Sequence, residues 1–169
     1  MQDLAEFTAA FAIGYDWMFD AWTPVQRNAI MWSIINLGLN YGELSYTNPE
    51  LGYGWWSRAG GNTGNWNGVC NNGLTMGALA IANEDPTGVA ARVLAFTVPN
   101  AASGIAMAAS SDGTSSETPN YWCVQLPFRI SRDSHFVPGT LPRLDMLRWL
   151  RPFSPPLDPR TTCSTRTLA

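Results

Sequence analysis

Apolar residues recur at steps of three and four near the start of the chain. Between Asp3 and Asp20 this stripe is formed by Leu4, Phe7, Phe11, Tyr15 and Met18. Residues three and four apart share one face of an α-helix, so the pattern predicts a first amphipathic helix over 3–20.

A second helix is predicted to begin at Thr23. The Thr23 hydroxyl can cap a helix, Pro24 stands at the first helical position, and Gln26 stands at the capping-box position. The helix is expected to run to about Asn40. Both sides of this helix are apolar. One side carries Val25, Ala29, Trp32, Ile35 and Leu39, and the other carries Ile30, Ile34 and Leu37. Such a helix is expected to be buried between neighbours.

Residues 41–68 are rich in Gly, Asn and Trp and follow neither a helical nor a strand period. They predict a long ordered loop, a kind of segment that is often functional. Helical spacing returns from Val69 to Asn83. Gly77 and Ala78 on this third helix are small enough to let another helix approach closely.

Asp85 and Pro86 repeat the pattern of cap and proline, and predict a helix from there toward Ala109. Pro99 lies inside this stretch and is expected to break the helix. Residues 110–122 are predicted to form a loop, and residues 123–169 to be mostly irregular because prolines interrupt them. The expected fold class is all-α.

The distribution of charge divides the chain near Cys123. Residues 1–122 carry ten acidic residues and three arginines, whereas residues 123–169 carry three aspartates, seven arginines and seven of the twelve prolines. Composition, charge and periodicity thus change together. We therefore expect a helical domain over 1–122 and an Arg/Pro-rich irregular tail over 123–169, introduced by a frameshift or a retained intron.

Composition argues against several classes of protein. No apolar run approaches the roughly 20 residues that span a bilayer, and the first residues lack the pattern of a secretory signal. Cys70, Cys123 and Cys163 are too widely spaced for a zinc site or a disulfide framework. Seven arginines with few interleaved aromatic residues are a weak nucleic-acid signal. We expect no membrane span, no metal and no nucleic-acid partner.

Two segments concentrate polar residues beside tryptophans. One carries Asn62, Asn65, Asn67, Asn71 and Asn72, and the other carries Glu117, Asn120 and Tyr121. Aromatic rings stack on the apolar faces of sugar rings while amides and carboxylates bind hydroxyl groups, so this mixture suits a carbohydrate cleft. The alternative is that the asparagines cap helices and turns and that the tryptophans fill gaps in the core.

Several motifs follow one another in a defined order along the helical part. They are residues 11–17 (FAIGYDW), 64–73 (GNWNGVCNNG), 77–81 (GALAI) with 83–86 (NEDP), and 112–114 (DGT) with 117–122 (ETPNYW). Together they resemble the heparinase II/III-like proteins of the chondroitin AC/alginate lyase superfamily, over about residues 3–122. The resemblance implies an (α/α) toroid, of which this chain would hold about two helical hairpins.

The resemblance also implies β-elimination on a polysaccharide that contains uronic acid, without a cofactor. In that reaction an amide neutralises the C6 carboxylate, a base removes the C5 proton, and a Tyr protonates the leaving oxygen. By position, Asn65 is the implied neutralising group and Tyr121 the implied acid/base. Arg58, the one cation of the tryptophan loop, would lower the pKa of that tyrosine. The implied substrate contacts are Trp55, Trp56, Arg58, Trp66, Asn67, Asn71, Glu117 and Trp122.

Two departures from the family pattern weigh against activity. Many of these lyases have a His beside the Asn, where this chain has Trp66, and the sole histidine, His135, lies in the tail. The further helices and β-sandwich of the family do not follow Tyr121 and Trp122. We therefore expect a lyase fragment that is inactive as this chain, with full-length relatives that are secreted.

Other interpretations remain open at the level of sequence. One is a non-catalytic carbohydrate-binding or scaffold remnant, and another is a small helical interaction protein whose arginine tail binds an acidic partner. A two-hairpin piece would also leave apolar helix faces uncovered, including that of the helix over 25–40, and this predicts self-association.

Overall fold

The computed structural model describes residues 1–58 and 64–108. These residues are mostly helical and include no strand, which confirms the all-α prediction for this part of the chain. The predicted loop over 110–122 and the tail over 123–169 lie outside the described residues.

The helices follow one another closely along the chain. They are α1 (Gln2–Trp17), α2 (Pro24–Ser33), a π-helical segment (Ile34–Leu39), α3 (Asn40–Thr47), a 3₁₀ helix (Gly52–Ser57), α4 (Asn65–Ala80) and α5 (Val89–Ala108). The π-helical segment joins α2 to α3 without interruption. Helix α4 is central, because it packs extensively on both α1 and α5.

The apolar core lies around α4. Its largest fully buried apolar side chains are Trp56, Ile34, Ile35, Leu39, Leu74, Ile81, Val89 and Val93. Helices α1 and α2 add Ala5, Tyr15 and Met31 to the same cluster, and Tyr46 of α3 packs against it, so a single core connects the described helices.

Local signals position the start of α2 as the sequence predicts. The Thr23 hydroxyl accepts a hydrogen bond from the Gln26 amide at 3.3 Å, and the Gln26 side-chain oxygen accepts one from the Thr23 amide at 2.9 Å. This capping box, with Pro24 in the first turn, satisfies amides that would otherwise lack partners.

The predicted loop over 41–68 is wrong for much of its length. Most of α3, the 3₁₀ helix and the first turn of α4 fall within it. The buried positions of α3 do recur at helical spacing, but they are occupied by Gly42 and Ser45. A Cβ atom at Gly42 would lie 2.5 Å from a Leu74 methyl group. A search for large apolar residues therefore misses the buried side of α3.

The buried face of α1 differs from the stripe of large apolar residues. An amphipathic stripe normally faces the core. Here Tyr15 is buried, whereas Phe7 is 67% exposed and Phe11 and Met18 are also exposed. The face that packs on α4 is instead made of small residues, namely Ala5, Thr8 and Ala12.

Small residues bring α1 and α4 into close contact, as the sequence predicted for the helix that carries Gly77. A Cβ atom at Gly73 would overlap the Ala5 carbonyl oxygen, and one at Gly77 would overlap the Thr8 methyl group. Gly38 of the π-helical segment also lies against Thr8, because a Cβ atom at Gly38 would lie 2.6 Å from the Thr8 hydroxyl oxygen. The backbones of three elements therefore meet around Thr8.

The helix over 24–39 is covered on only one side by the described residues. Ile35 and Leu39 are buried, whereas Val25 and Leu37 are exposed. The prediction that this helix is buried between neighbours is thus wrong for the described part. Ile34 and Leu37, expected on one face, separate because the wider π turn changes the spacing at which residues share a face.

Helix α5 passes through Pro99, so the predicted break is wrong. Pro99 has no backbone N–H, so the Ala95 carbonyl lacks its usual helical donor. Both residues lie on the exposed side of α5, where water can bind the Ala95 carbonyl. The helix also begins at Val89 instead of Pro86. Asp85 still acts as a cap, since its carboxylate accepts a hydrogen bond from the Ala90 amide at 2.8 Å.

Candidate functional site

Two tryptophans meet where the 3₁₀ helix faces the start of α4. Trp55 is 45% exposed, and Trp66 is half-buried and packs against the core. The centroids of the two rings lie 5.4 Å apart with an angle of 43° between the ring planes. Asn65, the predicted neutralising amide, precedes Trp66 as the first residue of α4. We call Trp55, Asn65 and Trp66 the tryptophan face.

The tryptophan face lies at the amino end of a 16-residue helix. The N-cap residue of α4 is Gly64, no side chain of the described residues caps this end, and no acidic residue occupies the first turn. Exposed backbone amides and the helix dipole make such an end attractive to anions. No Asp or Glu occurs between Glu50 and Glu84, so the sequence around the face carries no negative side chain.

A cluster of three asparagine side chains lies beneath the face. Asn67 and Asn71 of α4 are buried, with Asn71 at 0% exposure. The Asn100 side-chain oxygen accepts hydrogen bonds from the Asn67 amide at 2.7 Å and the Asn71 amide at 2.9 Å. We call Asn67, Asn71 and Asn100 the amide cluster. Its members satisfy one another and so offset the cost of burying amides.

The amide cluster also holds the 3₁₀ helix. The Asn100 side chain donates to the Ser57 carbonyl at 2.7 Å, and the Asn67 side chain donates to the Trp56 carbonyl at 3.3 Å. Arg58 directly follows the 3₁₀ helix, and its guanidinium reaches back to donate to the carbonyl of Asn48, which precedes that helix, at 3.0 Å. The segment that carries Trp55 is therefore fixed on both sides by side chains.

Tyr46 closes the cluster from α3. Its hydroxyl donates to the Asn71 side-chain oxygen, and its ring stacks on Phe96 at 5.1 Å and meets the edge of Trp56 at 5.3 Å. Burial, followed by the nearby Cys70 thiol, raises the pKa of Tyr46 well above its usual value. The hydroxyl therefore stays protonated and remains a donor at physiological pH.

Cys70 is buried beside this region and is a free cysteine. Burial raises the pKa of its thiol to about 12, so the thiol is uncharged at neutral pH. Because the thiolate is the reactive form of cysteine, this side chain acts as a small apolar group of the core.

The residues predicted from sequence divide into an outer and an inner group. Trp55, Asn65 and Trp66 form the tryptophan face, and Arg58 lies at its border, partly buried. The inner group, made of Trp56, Asn67 and Asn71, is buried and offers no surface to a polymer in this arrangement.

Three of the predicted site residues are not among those that the structure describes. Glu117, Tyr121 and Trp122 lie outside the described residues, so the predicted groove between the two polar segments stays a prediction. The Trp56 indole nitrogen has no hydrogen-bond partner among the described residues.

Two important members of the site were missed by sequence reasoning. Tyr46 fell in the predicted loop, although Ile35, Leu39, Gly42 and Tyr46 recur at helical spacing once a glycine is accepted as a core position. Asn100 follows Pro99, where a break was expected. No local pattern pairs Asn100 with Asn67, because the two are separated by 33 positions in the chain.

Three comparisons, with protein-family models, with curated proteins and with solved structures, gave no match to this chain. Within residues 1–58 and 64–108, no helix is long and apolar enough to cross a membrane. The same residues contain no group of three or more His, Cys, Asp or Glu side chains placed to hold a metal ion.

Proposed function

We propose that this chain is a fragment of a polysaccharide lyase that binds uronate-containing polysaccharide at the tryptophan face. The observation that carries the proposal is the exposed Trp55 ring, 5.4 Å from Trp66, at the amino end of α4, which no side chain of the described residues caps. The proposal also includes the (α/α) toroid that the sequence resemblance implies, with α1 to α5 as part of that ring of hairpins.

The chemistry of the tryptophan face suits an acidic sugar. Indole rings bind the apolar faces of pyranose rings. The Asn65 amide and the amino end of α4 supply positive potential for one carboxylate. A neutral sugar would gain the stacking and lose the electrostatic contribution, so the carboxylate is expected to control selectivity.

In the proposed lyase, the carboxylate held by Asn65 would make the neighbouring C5 proton more acidic. A base removes that proton, the electron pair forms the C4–C5 double bond, and the glycosidic oxygen leaves with a proton from an acid. Tyr121 is the proposed acid/base by the resemblance. We propose that the isolated chain retains binding and lacks turnover, because the family pattern after Tyr121 and Trp122 is not continued in its sequence.

Binding to polymers that differ only in their carboxylates tests this function. We would titrate the full chain with alginate and with carboxyl-reduced alginate, and follow the unsaturated product by its ultraviolet absorbance. Alginate is expected to bind and the reduced polymer to bind at least about tenfold more weakly. Equal binding of both polymers would favour the non-catalytic remnant, and formation of product would show that the chain is itself active.

Tryptophan variants locate the binding surface. Trp55→Ala is expected to weaken alginate binding about tenfold, because one stacking surface is lost. Trp17→Ala is the matched control, since Trp17 is also an exposed tryptophan but lies at the end of α1. Equal effects of the two variants would contradict the assignment of the tryptophan face.

Self-association is a further part of the proposal. Phe7, Phe11 and Leu37 are exposed along a groove of about 240 Å³ between α1 and the π-helical segment. Exposed apolar patches of this kind usually mark contact surfaces. Sedimentation of the full chain over a range of concentrations is expected to show association that Phe7→Asp reduces. A concentration-independent monomer would contradict it.

A further inference from the structure

We infer that Asn100 is a positioning residue for the tryptophan face, because its side chain ties the 3₁₀ helix that carries Trp55 to the helix that carries Trp66. This inference rests on the proposed function for its biological meaning. The positioning role itself concerns only the distance and angle between the Trp55 and Trp66 rings.

The hydrogen bonds of Asn100 have one consistent arrangement. Its side-chain oxygen accepts from the Asn67 and Asn71 amides, and its NH₂ group donates to the Ser57 carbonyl. If the Asn100 amide were reversed, its NH₂ group would face two other NH₂ groups and its oxygen would face a carbonyl oxygen. Asn100 therefore has a fixed orientation, and the carbonyl that it holds has a fixed position.

The neighbours of Asn100 make this orientation rigid. Both protons of the Asn67 amide are used, toward Asn100 and the Trp56 carbonyl. Both protons of the Asn71 amide are used as well, toward Asn100 and the Asn67 carbonyl. The Tyr46 hydroxyl then donates to the Asn71 oxygen. A fully connected buried network of this kind specifies one arrangement.

The path from Asn100 to the tryptophan face is short. Ser57, whose carbonyl Asn100 holds, is two residues after Trp55 and ends the 3₁₀ helix. Asn67, which also contacts Asn100, is one residue after Trp66. Asn100 thus connects both halves of the face through hydrogen bonds to Asn67, Asn71 and Ser57, and none of these bonds is to an indole.

The angle between the two indoles can be measured directly. The two indole rings lie 5.4 Å apart at 43°, so their transitions are expected to couple and to give a paired positive and negative band in circular dichroism. Trp55→Phe identifies that band, because it removes one member of the pair. Asn100→Ala is expected to lose most of the band while the helical signal is kept, and to weaken alginate binding about fivefold.

Thr97→Val is the matched control for the loss of a buried hydrogen bond. Thr97 is a buried polar residue of α5, one helical turn from the partly buried Asn100, and its hydroxyl accepts from Thr75 of α4 at 2.8 Å. This variant is expected to keep the band and the binding. A normal band in Asn100→Ala, or equal loss in both variants, would overturn the positioning role.

Asn100→Asp keeps the inference testable if Asn100→Ala does not fold. An ionised carboxylate can accept from Asn67 and Asn71 but cannot donate to the Ser57 carbonyl. The band is expected to be weak at neutral pH and to return toward wild-type intensity in acid, where the protonated carboxyl regains a donor. A band that does not respond to pH in this variant would count against the inference.

The outcomes for Asn100 and for the proposed function are separate. If the wild-type chain shows the paired band and Asn100→Ala loses it, Asn100 positions the indoles whether or not alginate binds. If alginate does not bind to the wild type, the proposed function fails and the positioning role stands. If the wild type lacks a band that Trp55→Phe removes, the inference itself fails.

Discussion

The two sides of α4 are built in contrasting ways. Toward α1 the helix presents glycines at 73 and 77, and backbone meets backbone or a single methyl group. Toward α5 and the 3₁₀ helix it presents the side chains of Asn67, Asn71 and Thr75. The glycine side sets how close two helices lie, and the amide side sets which groups lie where.

The physical difference between the two sides is one of direction. Close packing gains dispersion and apolar burial wherever shapes fit, with little regard to orientation. A buried amide is costly without partners, about 1–3 kcal/mol each, and its partners must lie along fixed directions. The amide side therefore adds little net stability beyond an apolar equivalent, while it restricts α4, α5 and the 3₁₀ helix to one relative position.

The largest effect is expected from filling the glycine side. Gly73→Ala places a Cβ atom on the Ala5 carbonyl oxygen, which belongs to the backbone of α1 and cannot rotate away. We expect a loss of about 3 kcal/mol or more in the free energy of unfolding, because α1 must shift as a unit. Urea denaturation followed by circular dichroism measures it.

Two controls separate this overlap from a general effect of alanine. Gly77→Ala meets the Thr8 methyl group, so adding Thr8→Ser is expected to relieve it, whereas Thr8→Ser cannot relieve Gly73→Ala. Gly14→Ala, in α1, meets no atom within 4 Å and is expected to stabilise by roughly 0.5–1 kcal/mol through helix propensity. If Gly73→Ala behaves like Gly14→Ala, the close contact of the glycine side is absent.

The next largest effect is expected on the amide side. Asn71→Leu removes the acceptor of the Tyr46 hydroxyl and one donor to Asn100. We expect a loss of about 2 kcal/mol, because the hydroxyl stays buried without a partner. Adding Tyr46→Phe removes that hydroxyl and is expected to recover part of the loss in a double-mutant cycle. Additive effects of the two substitutions would show that they do not interact.

Sequence patterns predicted those parts of the fold that depend on local signals. The capping box at Thr23 and Gln26 is a contact between residues three apart, and the sequence predicted it correctly. The buried sides of α1 and α3 were missed because Ala5, Gly42 and Ser45 occupy them. Hydrophobic periodicity favours large residues, whereas Phe7 and Phe11 of α1 are exposed and small residues form the face that packs on α4.

The candidate site shows the same division between local and distant contacts. The combination of tryptophans and asparagines was visible in the sequence, and Trp55 and Trp66 do lie together, with Asn65 next to Trp66 in the chain. Which asparagines lie inside depends on pairs such as Asn67 with Asn100, which are set by how α5 packs on α4. That packing is a tertiary property, and no spacing within one helix specifies it.

A smaller effect is expected from a polar pair that can be replaced as a whole. The Thr75 and Thr97 hydroxyls bond to each other at 2.8 Å inside the molecule. Thr97→Val alone is expected to cost about 1 kcal/mol, since Thr75 loses its partner. The double variant Thr75→Val with Thr97→Val is expected to recover toward wild type, within about 0.5 kcal/mol. A double variant less stable than the single one would mean that these hydroxyls have further partners.

The turn between α4 and α5 belongs to neither side of α4, so its contribution to stability can be compared with that of each side. Asp85 accepts hydrogen bonds there from the Thr87 amide at 2.8 Å, the Thr87 hydroxyl at 2.7 Å and the Ala90 amide at 2.8 Å. Burial alone would raise the pKa of Asp85, but these hydrogen bonds outweigh burial and hold the pKa below its usual value. The ionised carboxylate is therefore the form that stabilises the start of α5.

An effect of similar size to that of Thr97→Val is expected from Asp85→Ala, and it should depend on pH. At neutral pH the variant is expected to lose about 1 kcal/mol, as for other helix caps. Since the folded-state pKa is lowered, this stabilisation is complete above the unfolded-state pKa and disappears as the pH falls through the folded-state value. Urea denaturation of both proteins from neutral to acid pH should show the two stabilities converging in acid. Glu84→Ala, at the exposed neighbouring position, is the control and should change stability by less than about 0.5 kcal/mol. A difference for Asp85→Ala that is constant in acid would mean that the side chain acts through packing and that its charge has no part.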